Sequence, residues 1–241
     1  MFSLTKLNAI WRVPVILSWT ALMAILSLSL SLVDHGGRLQ HGCARLWSQF
    51  ILLVSRVQVE MSGLDKLDPA RGYLFAANHL SMFDHWAFLA CLPRQFRFVA
   101  KASLFQLPFL GWHLRRSGNL AVDRQQHRKT LRVFRAAAKK MEENGLSFVV
   151  YPEGARTWGD QVLPFKRGSL LLARYAKAPI VPVTIIGAHR RLPRGSALIV
   201  PGRMQMIIHP PIDFDQYQHL DPEALAETVR QTIIASYRQV P

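Results

Sequence analysis

A histidine and an aspartate five positions apart are the residues of this sequence best suited to acid–base chemistry. His79 and Asp84 lie in residues 78–84, N-H-L-S-M-F-D, directly after the apolar run Tyr73–Ala77. An aspartate that accepts a hydrogen bond from one imidazole nitrogen leaves the other nitrogen as a base. On a continuous helix the two side chains would point about 140° apart. We therefore predict a turn between them, with Asp84 near a helix start, where a carboxylate is favourable.

A second polar segment follows a later apolar run. Residues 151–157, Y-P-E-G-A-R-T, come directly after Val149 and Val150. Arg156 offers a planar fork of donors that matches a phosphate group. Glu153 is placed to hold that arginine or to orient a substrate. Alone, Pro-Glu-Gly is an ordinary turn, so the segment is informative only together with the others.

The order of these segments resembles the glycerolipid acyltransferase family, whose best-known members acylate 1-acylglycerol-3-phosphate to phosphatidic acid. The resemblance covers about Val57 to Ile208, and four ordered blocks are far more specific than any one of them. The first block is N-H-x-S-x-x-D (Asn78, His79, Ser81 and Asp84), and the second is a glycine with an apolar strand and an arginine (Gly118 to Arg124). The third is F-P-E-G-T-R-S (Tyr151 to Thr157), and the fourth is V-P-V (Val181 to Val183). Residues 165–168 match an F-K-x-G motif that commonly follows the third block.

The resemblance implies direct attack of a lipid hydroxyl on a thioester, with no acyl-enzyme intermediate. The sequence has no G-x-S-x-G nucleophile elbow, which agrees with that mechanism. No cofactor and no metal are expected, and acyl-coenzyme A or acyl carrier protein is the expected co-substrate. The family's roles map onto catalytic His79 (base) and Asp84 (its orienter), and onto Glu153, Gly154 and Arg156 at the acceptor phosphate, assisted by Arg124 and Lys101.

The third block departs from the family pattern at several positions. Ala155 stands where threonine is usual, and Tyr151 where phenylalanine is usual. The alanine removes a hydroxyl from the neighbourhood of the acceptor phosphate, which leaves the identity of the acceptor open. Glycerol-3-phosphate, a lysophospholipid and lyso-ornithine lipid are alternative acceptors for the same chemistry.

The charge of the chain is strongly unbalanced. The net charge is +15, and 21 basic but only 5 acidic residues lie between Arg94 and Arg203. Such a region attracts polyanions, and charge alone does not choose between nucleic acid, anionic lipid and phosphorylated substrates. No nucleic-acid-binding motif is present. We therefore expect as partners a phosphate-bearing membrane lipid, the thioester of coenzyme A or acyl carrier protein and an anionic membrane surface, and no nucleic acid.

The N-terminal region contains two apolar stretches. Pro14–Val33 has 20 residues without a charge, enough for a helix of about 30 Å, the thickness of a bilayer core. A cleaved signal peptide is the alternative, but the run is long for one. The second stretch, Leu46–Val57, is too short to span comfortably, so a hairpin dipping into one leaflet and a true span both remain open. We predict a membrane-anchoring helical segment at 1–57, an acyltransferase domain at 58–241, and an inner-membrane location with the site on the cytoplasmic face.

The rest of the chain alternates short apolar runs with amphipathic stretches. This alternation predicts an α/β fold with a mixed, largely parallel sheet flanked by helices, behind an N-terminal membrane-associated two-helix segment. The clearest helix is Gln125–Asn144, which Gly145 ends. The other predicted elements are helices Ser169–Lys177 and Pro222–Tyr237, and strands Val57–Met61, Tyr73–Ala77, Phe96–Ala100, Leu120–Val122, Ser147–Tyr151, Ile180–Ile185 and Met204–Ile208.

Two further classes of function compete with the acyltransferase hypothesis. A catalytically silent basic protein that binds membrane surfaces would share the charge and the apolar N-terminus. A metal-dependent hydrolase built on His79 and Asp84 would need more ligands, but the remaining histidines show no ligand spacing such as H-x3-H. The two cysteines, Cys43 and Cys91, form neither a C-x-x-C nor a zinc-finger spacing.

Overall fold

One sheet of seven strands lies at the centre of the part of the chain that the structure describes. The structure is a computed structural model and describes residues 11–34, 36–123 and 126–238. All seven predicted strands are present, with shifts of one or two residues at some ends. They are β1 (Val57–Ser62), β2 (Leu74–Ala77), β3 (Phe96–Lys101), β4 (Leu120–Val122), β5 (Ser147–Val150), β6 (Ile180–Ile186) and β7 (Gly202–Ile208).

The sheet is mixed and largely parallel, as predicted. Its strand order is β1-β7-β6-β2-β5-β3-β4. The pair β6–β7 is antiparallel, and the other neighbouring strands run parallel. Strand β2 lies between β5 and β6, with Leu74 opposite Phe148 on one side and Ile180 on the other. Because β2, β3, β5 and β6 run the same way, the loops that follow them gather at one edge of the sheet.

Helices cover both faces of this sheet. The predicted helix Gln125–Asn144 begins at His127, because Gln126 has a non-helical backbone, while Gln125 lies outside the described residues. The predicted helix Ser169–Lys177 shortens to Leu171–Ala176. The helices are α1 (Arg12–Leu30), α2 (Arg38–Ser55), α3 (Phe83–Cys91), α4 (Leu110–Arg116), α5 (His127–Asn144), α6 (Leu171–Ala176), α7 (Ala188–Arg191), α8 (Phe214–Tyr217) and α9 (Pro222–Tyr237), with 3₁₀ turns at Leu64–Lys66 and Ala102–Gln106.

Alternation of side chains along β2 creates two hydrophobic layers. Phe75 and Ala77 face a layer that contains residues of α2 and α3. Leu74 and Ala76 face the opposite layer, which contains residues of α5, α6 and α9. All four side chains are fully buried. A strand that is apolar on both faces is typical of the centre of a parallel sheet, and this burial holds the end of β2 in place.

The N-terminal segment forms two helices that pack together. Trp47 Nε1 donates to Thr20 Oγ1 at 2.9 Å, and the Trp19 and Phe50 ring centroids are 4.5 Å apart. By length and composition α1 is able to cross a membrane, and most of it is not buried inside the protein. The uncharged run Pro14–Val33 was predicted to form a helix, and a helix is confirmed from Arg12 to Leu30.

The second N-terminal helix begins well before the apolar stretch Leu46–Val57. Helix α2 begins at Arg38, eight residues before Leu46. Its first turns are polar, and two of their side chains, Gln40 and His41, are buried in the protein. A search for apolar runs does not detect such a start, because these polar side chains face protein rather than lipid.

Candidate active site

The candidate site lies at the sheet edge where β2, β5 and β6 end. Residues 78–84 follow β2, residues 151–157 follow β5, and Gly187 follows β6. In open α/β sheets, functional groups collect outside the carboxyl ends of the strands, where neighbouring connections diverge. Strand β2 is at such a position, because its neighbours in the sheet are β5 on one side and β6 on the other.

The predicted contact between the histidine and the aspartate is present. His79 Nδ1 lies 2.8 Å from Asp84 Oδ2, and the Asp84 side chain is fully buried. The backbone N–H groups of Leu80 and Ser81 donate to the same oxygen at 2.7 and 2.9 Å. Asp84 therefore stabilises the turn as well as the imidazole. The other nitrogen of the His79 ring, Nε2, is left available to a substrate.

The turn between the two residues has the predicted form. Helix α3 begins at Phe83, so Asp84 lies in its first turn. The Ser81 hydroxyl donates to the Leu192 carbonyl at 2.8 Å and accepts from the Phe83 N–H at 3.3 Å. These bonds hold residues 80–83 in the conformation that brings the carboxylate back to the ring.

Glu153 joins the loops that follow β2 and β5. Its Oε1 accepts from the His79 N–H at 2.7 Å, and its Oε2 accepts from the Leu163 N–H at 3.1 Å. A further bond runs from the Thr157 N–H to the His79 carbonyl at 3.1 Å. Burial raises the pKa of Glu153 to about 7, against the lowering effect of the two N–H donors. Because both oxygens bind backbone, this geometry favours a positioning role over direct contact with a phosphate.

Aromatic rings enclose the His79 imidazole. The Tyr151 ring stacks on it with centroids 4.0 Å apart, and the His85 ring meets it edge-on at 5.0 Å. Burial lowers the pKa of His85 well below its usual value, and the charges of His79 and Arg156 lower it further. His85 is therefore neutral and does not compete with His79 for the Asp84 charge.

Three buried polar atoms around the pair lack a hydrogen-bond partner among the described residues. They are Asp84 Oδ1, His85 Nδ1 and the Tyr151 hydroxyl. Burial raises the pKa of Tyr151 well above its usual value, and the Asp84 charge adds to that effect, so this hydroxyl keeps its proton. Buried polar atoms of this kind are commonly satisfied by ordered water.

The other predicted binding residues occupy different positions around the site. Gly154 has φ +74°, a left-handed conformation that favours glycine. Arg156 is half-buried, and its charge reaches His85. Lys101 is exposed at the end of β3, on the wall of the same cavity as Arg156. Arg124 lies outside the described residues.

A large cavity connects these residues to the N-terminal helices. Its volume is about 2050 Å³, which exceeds that of a typical pocket for a drug-sized molecule. Its lining combines apolar and basic side chains. The apolar ones include Met23, Trp47, Phe98, Leu104 and Phe134, and the basic ones include Lys101, Arg156, Lys166, Arg167 and Arg194.

The histidines, cysteines and carboxylates of the described ranges form no cluster suited to a metal. In residues 11–34, 36–123 and 126–238, no three such side chains are arranged to hold an ion. The metal-dependent alternative therefore has no candidate ligand set in that part of the chain.

The chain matches the sequence profile of a known protein family. The profile of the acyltransferase family matches residues 58–186, more than half of the chain. The chain belongs to the acyltransferase family. The match begins at the second residue of β1 and ends with β6, so it contains every strand whose loop contributes to the site.

Relatives named as 1-acyl-sn-glycerol-3-phosphate acyltransferases match most of this chain. A chloroplastic 1-acyl-sn-glycerol-3-phosphate acyltransferase from Brassica napus is 27 % identical over 73 % of this chain, which spans about half (51 %) of that protein. The 1-acyl-sn-glycerol-3-phosphate acyltransferase alpha of Bos taurus is 26 % identical over 92 % of this chain and 77 % of its own. The structure of the 1-acyl-sn-glycerophosphate acyltransferase PlsC from Thermotoga maritima superimposes with a TM-score of 0.80 at 22 % identity, covering 98 % of each chain. This last similarity concerns the fold.

Sequence reasoning missed two residues of the candidate site. His85 follows Asp84 directly, but nothing in its neighbours indicates that it would meet the His79 ring. Arg194 donates to the Arg156 carbonyl and lies over the Trp158 ring, 4.3 Å from its centroid. An isolated arginine 38 positions beyond its partner carries no local signal, because only the fold places the two loops side by side.

Proposed function

We propose that this chain transfers a fatty acyl group from a thioester to the free hydroxyl of 1-acylglycerol-3-phosphate, giving phosphatidic acid. The observation that carries the proposal is the 2.8 Å contact between His79 Nδ1 and Asp84 Oδ2 on the wall of a cavity that also contains Arg156. Membership of the acyltransferase family supports the reaction class, and the names of the relatives from Brassica napus and Bos taurus support the acceptor.

In the proposed mechanism His79 is the general base. Its Nε2 takes the proton of the acceptor hydroxyl while the oxygen attacks the thioester carbonyl carbon. The tetrahedral intermediate then collapses, the carbon–sulfur bond breaks, and the departing thiolate receives the proton from His79. Asp84 holds the tautomer that exposes Nε2 and stabilises the imidazolium formed during attack. The protein forms no covalent bond to the acyl group in this sequence of steps.

The acceptor phosphate lies beside Arg156 in this proposal. A half-buried guanidinium at the cavity wall offers a bidentate match to a phosphate. Arg194 supports it through the Arg156 carbonyl, and Lys101 adds positive charge on the same wall. Glu153 contributes by fixing the His79 backbone, and Gly154 by the open turn between Glu153 and Arg156. Arg124 completes the proposed set.

We propose a membrane location because one substrate and the product are lipids. Helix α1 is mostly exposed and apolar, and anionic headgroups attract the basic domain. The inner membrane, with the site on its cytoplasmic face, gives access to acyl-coenzyme A or acyl carrier protein as donor. No resident cofactor enters the proposed reaction.

The test is an assay of the purified full-length chain in detergent–lipid micelles. Acyl-coenzyme A and acyl carrier protein thioesters are offered with 1-acylglycerol-3-phosphate, glycerol-3-phosphate, a lysophospholipid and lyso-ornithine lipid. We expect preferential acylation of 1-acylglycerol-3-phosphate. We expect His79→Ala to lower kcat by about 10²–10⁴-fold, because the base is removed, without a change in circular dichroism.

Two results would refute the proposal. Near-normal turnover by His79→Ala would show that another group is the base. Consumption of no thioester with any of the four acceptors, by a folded wild-type chain, would favour the non-catalytic membrane-binding alternative. His219→Ala is the matched control, since it removes an exposed imidazole and should leave kcat unchanged.

A further inference from the structure

A second apolar surface lies on the catalytic domain, apart from the N-terminal helices. Residues 102–114 contain no lysine, arginine, aspartate or glutamate, although the surrounding region is strongly basic. They form the 3₁₀ turn Ala102–Gln106 and the first five residues of α4. Five large apolar side chains in this segment are exposed, and we call them the apolar ridge: Leu104, Leu107, Phe109, Leu110 and Trp112.

Packing and hydrogen bonds fix the conformation of the ridge. Phe105 beneath it is buried. The Gly111 N–H donates to the Leu107 carbonyl at 2.8 Å, and a Cβ at Gly111 would lie 2.2 Å from the Phe105 carbonyl oxygen. Glycine is therefore needed for α4 to pack against the turn. The backbone also holds Phe109 at φ +60°, an unfavourable conformation for an aromatic residue, with 59 % of its side chain exposed.

The ridge adjoins α1. The Ser27 hydroxyl of α1 and His113 Nδ1 of α4 are 2.7 Å apart, so the two helices are fixed to each other. Leu17, Leu22 and Ile25 of α1 are more than half exposed. The helix that is able to cross a membrane is thus a direct neighbour of the ridge, and both expose large apolar side chains.

The ridge also forms part of the substrate cavity. Leu104, Phe109 and Leu110 line the cavity that contains His79, while Leu107 and Trp112 do not belong to its wall. Basic side chains flank the segment on both sides: Lys101 before it, and Arg115 and Arg116 after it, all exposed. Apolar residues bordered by exposed cations are typical of a surface that enters the headgroup and upper acyl region of an anionic bilayer.

We propose that the apolar ridge inserts into the lipid bilayer and forms the lip across which the lipid acceptor passes between membrane and cavity. The proposal rests on the proposed function for the identity of that lipid, but insertion itself does not. A bilayer is favoured as occupant because the ridge adjoins α1, which is able to cross a membrane, and borders the substrate cavity. The alternative occupant is a second copy of the chain, and the experiments below distinguish it from a bilayer.

The first experiment measures insertion without reference to catalysis. Full-length protein is bound to vesicles of equal parts phosphatidylcholine and phosphatidylglycerol with brominated acyl chains, and wild-type emission is compared with that of Trp112→Phe. We expect the emission contributed by Trp112 to be quenched by the bromine atoms and protected from iodide in the water. Iodide quenching of that emission, without bromine quenching, would overturn the proposal.

The second experiment measures transport of the acceptor from the bilayer. Leu107→Asp and Trp112→Asp change exposed side chains that do not line the cavity. We expect the initial rate on long-chain acceptor in the same vesicles to fall by about tenfold or more, because a charge replaces an apolar group in lipid. The rate on a water-soluble short-chain acceptor should stay within about twofold, which also shows that the variants are folded.

A matched control and two opposing results complete the design. Ala235→Asp places the same charge on an exposed position of α9 and should alter neither rate. Equal losses on vesicle and soluble acceptors would show that the ridge serves only the cavity. Dissociation of a dimer by both variants, with vesicle rates unchanged, would assign the ridge to a second copy. If the wild type acylates no acceptor at all, the proposed function fails, while the quenching experiment still decides insertion.

Discussion

At the scale of single residues, Glu153 determines where the His79 backbone lies. It is 3 % exposed and binds the N–H groups of His79 and Leu163. A carboxylate in this position pays a desolvation cost that the two donors only partly offset, which is why its pKa rises to about 7. The residue is therefore close to half-protonated at neutral pH, and its charge state affects stability.

Replacing Glu153 with glutamine should change how stability depends on pH. The folded chain holds the Glu153 proton more tightly than the unfolded chain, so the stabilising contribution is present in full below pH 4.5. It is lost as the pH rises through about 7. The wild type should lose about 3 kcal/mol of unfolding free energy over this range that Glu153→Gln does not lose. Denaturant unfolding in detergent between about pH 4.5 and 8 measures the difference.

The control for this prediction is Glu142→Gln. Glu142 is an exposed carboxyl of α5, so its loss should leave the pH dependence parallel to that of the wild type. Parallel curves for Glu153→Gln as well would contradict the raised pKa of Glu153.

At the scale of elements, Asn78 ties the end of β2 to β6. Its side-chain amide donates to the Ile185 carbonyl at 2.8 Å and its carbonyl accepts from the Ile185 N–H at 2.7 Å. The residue is fully buried. This clamp continues the parallel pairing one residue beyond the β2 ladder, and it sets the height at which His79 leaves the sheet.

Truncation of Asn78 should be costly for both stability and turnover. Asn78→Ala removes two buried hydrogen bonds and leaves the Ile185 backbone groups without a partner. We expect a loss of about 2–4 kcal/mol of unfolding free energy, and a fall in kcat because His79 is no longer held in register. Ser81→Ala removes a hydroxyl that donates to the Leu192 carbonyl at 2.8 Å and accepts a longer bond from the Phe83 N–H at 3.3 Å, and should cost less, about 1–2 kcal/mol. Equal losses for the two variants would show that Asn78 is not a clamp.

At the scale of the whole molecule, two different interactions favour binding to a membrane. The apolar surface of α1 favours lipid irrespective of lipid charge, whereas the net charge of +15 favours anionic headgroups. Salt screens only the second interaction, since the Debye length is about 10 Å at 0.1 M salt. The two contributions are therefore separable by experiment.

Membrane affinity should depend on salt only when the lipid is anionic. We expect the partition coefficient for phosphatidylglycerol vesicles to fall by about tenfold or more between about 0.05 and 0.5 M NaCl. The coefficient for phosphatidylcholine vesicles should stay within about twofold, because apolar burial is not screened. Vesicle co-sedimentation measures both. A fall of the same size with the neutral lipid would contradict an electrostatic origin.

Local patterns were sufficient to predict most of the fold. Most strands were predicted because a short apolar run is followed within two residues by glycine, proline or asparagine, and those signals do not depend on distant residues. The contact between His79 and Asp84 was also predictable, since the five-residue spacing requires a turn if the side chains are to meet. The start of α2 at Arg38 was not predictable, because its buried polar residues bind against the folded domain.

By itself, then, the sequence determined which segments along the chain form strands and helices, the pair of residues that can move a proton, and the excess of positive charge. Only the tertiary structure decided that Arg194 supports Arg156, that His85 meets the His79 ring, and that the apolar ridge lies beside α1. The reason is physical: the first set follows from interactions between residues near in the chain. The second depends on strand order and helix packing, which bring together groups whose separation in sequence carries no information about their distance.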